Sequence, residues 1–257
     1  PMPATVLFAV PALWDEYRNH LPTALSEAGV DARVTLSADP DKGDYIVYAP
    51  TSHIDDFAPF TRARAVLSLW AGVERIVGNP TLTQPLCRMV DPALTEGMVE
   101  YVVGHALRHH LGIDAHVLAK DSVWCNHLIP PIARERPVTI LGLGELGAAC
   151  GRALAALNFP VTGWSRTPRD IPNLRCLSGR EGLDAALQGA QIVVTLLPNT
   201  PNTANTLNAR TLALLAPGAF VINPGRGTLI DDKALIAALD AGQIGHATLD
   251  VFRTAPL

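Results

Sequence analysis

No two cysteines of this 257-residue chain stand in a CxxC spacing. The four present, Cys87, Cys125, Cys150 and Cys176, are scattered. That scatter argues against a disulfide framework and a zinc site, and no metal is expected. No uncharged apolar run reaches the roughly 18 to 20 residues that a membrane span requires. Positive charge is not in excess either: the formal net charge is −4, which gives no electrostatic reason to bind nucleic acid or an anionic membrane. Charged residues make up only 17% against 48% hydrophobic, so a packed core is expected rather than disorder. Internal repeats and low-complexity segments are absent. Pro1 to Val10 lack a basic leader stretch and enter a strand-like run, so a cytoplasmic location is expected.

What is present is alternation of strands and helices, in two halves. In the first, short apolar runs at Thr5–Val10, Ala32–Leu36, Tyr45–Ala49, Ala65–Leu69 and Arg88–Val90 read as strands. Trp14 to Ala28 has helical spacing, with a kink or break expected at Pro22. Leu94 to Leu111 reads as a long helix. Gly97 and Gly104 inside it cost about 1 kcal/mol each relative to Ala, which suggests another element packing closely there. Asp121 to Pro137 reads as irregular. The second half gives strands at Val138–Leu141, Val161–Trp164, Gln191–Leu196, Ala219–Asn223 and His246–Val251. Helices are expected at Ala148–Leu157, Asn208–Leu214 and Asp231–Ala241. Repeated alternation of this kind predicts α/β architecture with parallel sheets covered on both faces.

The first strand of the second half runs into Gly142-Leu-Gly144-Glu145-Leu146-Gly147, and a helix comes after it. In that context the glycines mark a dinucleotide site. The first permits a tight turn, the second lets backbone approach a pyrophosphate, and the third lets helix and strand pack closely. An NAD protein places an acid on the ribose about 20 residues later. Here the next strand ends in Ser165-Arg166-Thr167-Pro168-Arg169, and the first acid is Asp170. Hydroxyls and a guanidinium attract a 2′-phosphate where an acid would repel it, so NADP(H) is preferred, with NAD(H) permitted.

Three further runs carry a resemblance to a known family. They are Val193-Val-Thr-Leu-Leu197-Pro198-Asn-Thr-Pro-Asn-Thr203, Leu215 to Asn223-Pro224-Gly-Arg226-Gly227, and Leu249-Asp250-Val-Phe252. Together they resemble the D-isomer-specific 2-hydroxyacid dehydrogenases. The Trp-Ser-Arg-Thr ending and the Trp124 segment are most similar to the glyoxylate/hydroxypyruvate reductase branch. The resemblance implies two Rossmann-like doubly wound domains: a flavodoxin-like substrate domain over 1–92, its returning C-terminal helix missing, and a dinucleotide-binding domain over 93–257. It implies an oxidoreductase that uses NADPH to reduce a small 2-oxo acid to the D-2-hydroxy acid, bound in a cleft between domains. It implies a homodimer formed through the 94–112 helix.

Residue by residue, the resemblance makes Arg226 the active-site arginine, suited to hold a carboxylate and polarise a keto oxygen. Asp250 would accept from the nicotinamide carboxamide. Leu197, Pro198, Thr203, Asn223 and Pro224 would line the dinucleotide, and Met98 would touch the nicotinamide. Ala71, Gly72 and Val73 would hold the substrate carboxylate through backbone N–H groups at a helix start, and Tyr48 would line the pocket.

The family's proton donor is a histidine in a Pro-His pair, assisted by a glutamate. Ala255 stands at the glutamate position of Asp250-Val-Phe-Arg-Thr-Ala255-Pro-Leu257, and the histidine would fall beyond Leu257. A truncated chain with a tail of about 50 residues is the favoured expectation, on family analogy. The rival is a dinucleotide sensor without catalysis. Among the histidines present, His105 and His109 have the i, i+4 spacing of a metal pair but no third ligand, so solvated or interface histidines are expected. His53 is the one candidate contributor near the proposed pocket.

Overall fold

The computed structural model describes residues 3–118, 124 and 129–254. Ala255 and most of the segment 119–128, including Cys125 and His127, lie outside the described residues. The chain divides into two compact units, Pro1–Asp91 and Pro92–Leu257.

The first unit opens with β1 (Ala4–Phe8), a 3-10 turn at Pro11–Leu13, α1 (Trp14–Tyr17) and α2 (His20–Glu27). Strands β2 (Ala32–Thr35), β3 (Tyr45–Tyr48), β4 (Ala65–Ser68) and β5 (Leu86–Cys87) come next. All five pair in parallel in the order β2-β1-β3-β4-β5, the flavodoxin-like order. Successive residues of β1 enter opposite faces: Leu7 joins the cluster around Phe57 and Ile76, while Val6 and Phe8 join the one beneath Trp14 and Tyr17.

Two expectations for this unit need correction. The helical break falls at Arg18–Asn19, not at Pro22. Pro22 is the third residue of α2, in the first turn, where backbone N–H groups have no intrahelical acceptor and proline costs little. The last strand occupies Leu86–Cys87 rather than 88–90, where its register against Val66 and Leu67 is satisfied.

The second unit begins with α3 (Pro92–His110), the short α4 (Ile113–Val117) and a 3-10 turn at Ala133–Glu135. Then come β6 (Val138–Leu141), α5 (Glu145–Ala156), β7 (Val161–Ser165), β8 (Arg175–Ser178), α6 (Gly179–Leu187) and β9 (Ile192–Thr195). It closes with α7 (Ala209–Leu212), β10 (Ala219–Asn223), a 3-10 turn at Gly227–Leu229, α8 (Asp232–Asp240) and β11 (Ile244–Leu249). The sheet order is β11-β10-β9-β6-β7-β8, all parallel, the doubly wound dinucleotide-binding order. Strand alternation again feeds two cores. Leu141, Val193 and Val221 pack with α7 and α8 residues, and Ile140, Val194 and Ile222 pack with α3 and α5 residues. β8 and α6 are absent from the sequence-based expectation.

The expectation that Gly97 and Gly104 mark a close approach fails within the chain. A Cβ at either position would meet no atom within 4 Å among the described residues. No helix of the described residues is long and apolar enough to cross a membrane, and no group of three or more candidate ligands is placed to hold a metal ion.

Candidate active site

The order of the six-stranded sheet reverses between β6 and β9, so the chain leaves their carboxyl ends in opposite directions and a crevice opens there. The glycine turn fills one lip. Gly142 has φ +107°, a conformation that L side chains rarely adopt, and a Cβ on it would lie 2.5 Å from the Leu196 carbonyl oxygen. A Cβ on Gly147 would lie 1.7 Å from the Gly142 carbonyl oxygen. Those contacts press the start of α5 onto the end of β6. Gly144, between them, faces open space: a Cβ there would meet nothing within 4 Å. It is the N-cap of α5, with no side-chain cap, and Glu145, Leu146 and Gly147 form the first helical turn after it. Their N–H groups and the helix dipole make this lip an anion cradle. The cradle fits the pyrophosphate of a dinucleotide, because the two tight glycines build it and the open one leaves room above it.

The end of β7 carries the second group of expected residues. Ser165 is buried, and its hydroxyl donates to the Thr167 carbonyl at 2.7 Å, folding the tip into a tight turn. That bond takes the hydroxyl proton which a phosphate would have received. Arg166 and Thr167 are exposed, and Arg166 has no ion-pair partner among the described residues. Asp170 is also exposed, beyond the turn.

After β9 the chain forms a stapled loop. Leu197 is buried while Pro198 is exposed. The Thr203 hydroxyl donates to the Pro198 carbonyl at 2.6 Å and accepts from the Thr200 N–H at 2.9 Å. Thr228 donates to the Asn199 side chain at 2.8 Å, tying this loop to the turn after β10.

That turn holds Arg226, which is half-buried and donates from Nη1 to the Gly225 carbonyl at 2.8 Å. Asn223 and Pro224 before it are buried. The Asn223 carbonyl accepts from the Asp250 N–H at 3.1 Å, so Asp250, exposed at the end of β11, lies beside the base of the same turn. Asp250 also faces α3: together with burial it raises the Tyr101 pKa, and it partly offsets the burial that lowers His105. Met98, on the same helix, is half-buried in the α3–α5 core, and its carbonyl accepts a weak 3.8 Å bond from the Cys150 thiol.

The histidines of α3 serve packing. His109 is 5% exposed, stacks on Phe220 with ring centroids 4.7 Å apart, and shares a 2.8 Å hydrogen bond with the Thr248 hydroxyl. Burial first, then the neighbouring His246 and Arg108, push its pKa down to about 4, so it is neutral near pH 7. Burial lowers His110 as well. This corrects the expectation of solvated or interface histidines for His109.

In the first unit, Tyr48 is buried and its ring packs against Phe57 at 5.9 Å, a core role within that unit. Ala71, Gly72 and Val73 are half-buried, and the Val73 carbonyl accepts from Ile76 and Val77 at 3.1 and 2.9 Å. The segment after Val73 is therefore one hydrogen-bonded turn and not the helix start expected from the sequence, so no helix dipole reaches residues 71–73. His53 is exposed.

Two contributors escaped the sequence reading. Thr195, at the end of β9, is wholly buried and donates to the Asn223 side chain at 2.6 Å. Arg253 reaches back to the Asn205 side chain and the Ile230 carbonyl, both at 2.6 Å, pinning the segment after β11. Nothing local in the sequence signals either contact.

The second unit coincides with a known family model. Residues 102–257 match the D-isomer specific 2-hydroxyacid dehydrogenase NAD binding domain. Over 203 residues the chain is 36% identical to glyoxylate/hydroxypyruvate reductase A of Serratia proteamaculans, covering 76% of this chain and 65% of that protein. It thus spans slightly less than two thirds of that relative. The Yersinia enterocolitica protein of the same name is 34% identical over 248 residues, covering 93% of this chain and 77% of the relative. Among solved structures, a D-isomer specific 2-hydroxyacid dehydrogenase from Xanthobacter autotrophicus Py2, in complex with NADPH and MES, superposes with a TM-score of 0.88 at 36% identity. The match covers 100% of this chain and 83% of that one. An NADPH-dependent glyoxylate/hydroxypyruvate reductase from Sinorhizobium meliloti, in complex with NADP and sulfate, gives 0.80 at 34% identity, with the same coverage. The glycine cradle, the arginine turn and the sheet order all lie inside a match that takes in more than half of the residues: this chain belongs to the D-isomer specific 2-hydroxyacid dehydrogenases.

Proposed function

We propose that the protein is an NADPH-dependent oxidoreductase that reduces a small 2-oxo acid of the glyoxylate or hydroxypyruvate type to the D-2-hydroxy acid. The observation that carries this reading is the pairing of two features at the carboxyl ends of one sheet. An anion cradle closes β6, and Arg226 sits after β10 on a turn braced from both sides. Relatives named as glyoxylate/hydroxypyruvate reductases, at 34–36% identity, supply the substrate class. The NADPH and NADP complexes of structural relatives support the preference for NADP(H), as does the acid-free tip of β7 with its exposed Arg166.

In this reading the amides of residues 144–147 hold the pyrophosphate, and Arg166 with Thr167 faces the 2′-phosphate. Leu197, Pro198 and Thr203 border the dinucleotide. Asp250 accepts from the carboxamide, and Met98 backs the nicotinamide from α3. NADPH, when bound, supplies the hydride. Arg226 grips the substrate carboxylate through paired N–H donors and draws electron density toward the keto oxygen, which favours the charge that develops there. No residue of this chain is assigned the role of the family's histidine proton donor. The same reading includes a substrate role for the first unit and a cytoplasmic location. It also includes a homodimer through the 94–112 helix, supported by the exposure of Leu94 and Leu111. No observation favours a catalytically silent sensor.

The test is NADPH oxidation by the whole gene product with glyoxylate, hydroxypyruvate and pyruvate, beside Arg226→Ala. The reading expects turnover with at least one oxo acid and a loss of about 10² to 10³-fold in the variant, as for removal of a transition-state donor. Normal turnover by Arg226→Ala would overturn the role given to that residue.

A further inference from the structure

The turn that carries Arg226 is braced at residues 223, 225, 226 and 227. The Asn223 side chain spans it: Oδ1 accepts from the Gly225 N–H at 3.1 Å, and Nδ2 donates to the Arg226 carbonyl at 3.0 Å. A Cβ on Gly225 would stand 2.7 Å from the Thr195 carbonyl oxygen, and one on Gly227 would stand 2.0 Å from the Phe252 carbonyl carbon. Both glycines flanking Arg226 thus lie against backbone that cannot yield. Beneath this, Thr195 donates its hydroxyl proton to Asn223 Oδ1 at 2.6 Å. Thr195 is 0% exposed and Asn223 is 1% exposed.

An amide side chain offers nearly the same shape in two orientations, with oxygen and nitrogen exchanged. The Gly225 N–H can only donate and the Arg226 carbonyl can only accept, so together they favour the orientation with Oδ1 toward Thr195, whose hydroxyl donates a second bond to that oxygen. That orientation is the one in which Nδ2 reaches the Arg226 carbonyl. A buried amide that loses the hydroxyl keeps only the longer Gly225 N–H bond at its oxygen and is held less firmly.

We propose that Thr195, acting through Asn223, is a positioning residue that holds Arg226 in register for the substrate carboxylate, and so sets affinity for the 2-oxo acid. Thr195 is wholly buried, with no surface open to a ligand. Its effect passes only through the amide and the turn. A planar guanidinium gripping a planar carboxylate loses its paired geometry on a small rotation, whereas the pyrophosphate cradle on β6 depends on other residues. Loss of the hydroxyl therefore separates the two ligands. This inference rests on the role given to Arg226 above.

The experiment titrates oxalate, as a carboxylate probe, into the whole gene product saturated with NADP⁺, and titrates NADPH separately. Variants are Thr195→Val, Thr195→Ala, Thr195→Ser and Arg226→Ala. Valine and alanine are expected to weaken oxalate, and to raise the oxo-acid KM, by about tenfold while NADPH affinity stays within about twofold, the scale of one lost hydrogen bond. Serine, which keeps the hydroxyl, restores oxalate binding. Alanine removes the hydroxyl without adding a methyl, so a folding defect confined to valine leaves the test intact. Wild-type oxalate affinity in the alanine variant, parallel loss of NADPH and oxalate, or failure of serine to rescue would each overturn the proposal. If Arg226→Ala itself binds oxalate normally, the role of Arg226 fails and the positioning role with it. If Arg226→Ala loses oxalate but the Thr195 variants do not, the positioning role alone fails.

Discussion

Acidification should loosen the joint between α3 and the β10–β11 edge of the second unit, and His109 gives the magnitude. Its ring is buried against Phe220 and hydrogen-bonded to Thr248, with its pKa lowered from 6.5 to about 4. Free in the unfolded chain, the ring takes up its proton near pH 6.5; folded, it does so only near 4. Between these values the unfolded state binds more protons, so stability falls as pH falls. The contribution is intact above pH 6.5 and fully lost below 4. A separation of about two and a half pH units is worth on the order of 3 kcal/mol, a large share of the stability of an ordinary domain. Arg108, His246 and His105 add repulsion to the protonated ring, while the Asp114 carboxylate, bonded to Arg108 at 2.8 Å, opposes them. The assay is urea unfolding of wild type and His109→Gln at pH 7, 5.5 and 4.5. Glutamine keeps a polar partner for Thr248 and removes the titration. Wild type should lose stability faster than the variant across this range, and the His109 ring should titrate near 4 by NMR. Parallel losses in the two proteins, or a ring titrating near 6.5, would refute the reasoning.

Gly147→Ala would place a Cβ against the fixed carbonyl of Gly142, so α5 must move off β6. Over-packing of this kind costs about 1 to 3 kcal/mol or more; a fall in melting temperature with at least tenfold weaker NADPH binding is expected, and unchanged binding would contradict the cradle. Arg166→Ala should weaken NADPH by about tenfold and leave NADH within about twofold, because only the former brings a 2′-phosphate to an exposed guanidinium. Comparative titration of the two nucleotides reads this directly.

The parts of the fold that sequence made legible are those with local signatures. β10 lies at Ala219–Asn223, where the sequence placed it, because an apolar run bounded by Pro217-Gly218 and Pro224-Gly225 leaves no other reading. The glycine turn was equally plain: Gly142 and Gly147 each answer a steric demand, and Gly144 between them leaves the space open. β8 and α6 stayed hidden: Arg175–Ser178 is a partly exposed edge strand without an apolar face, and its pairing with β7 comes from tertiary contact. His109 shows the same limit in the site region. Its i, i+4 relation to His105 suggested a metal pair or solvated rings, yet its partner Thr248 is 139 residues away. Thr195 looked like one more strand residue, because the amide it orients arrives 28 residues later. Local pattern finds turns and periodic faces; it cannot find a hydrogen bond whose second half is set by the fold.

The central claim is that the turn 142–147 receives a diphosphate while Arg226, on the turn after β10 and two strands away in the same sheet, holds the substrate carboxylate. A crystal structure of the whole gene product with NADPH and oxalate tests it most directly. The account predicts pyrophosphate oxygens within hydrogen-bond distance of the amides at the start of α5, and an oxalate carboxylate held by the Arg226 guanidinium. Nucleotide density elsewhere, or a guanidinium turned away from bound oxalate, would contradict it.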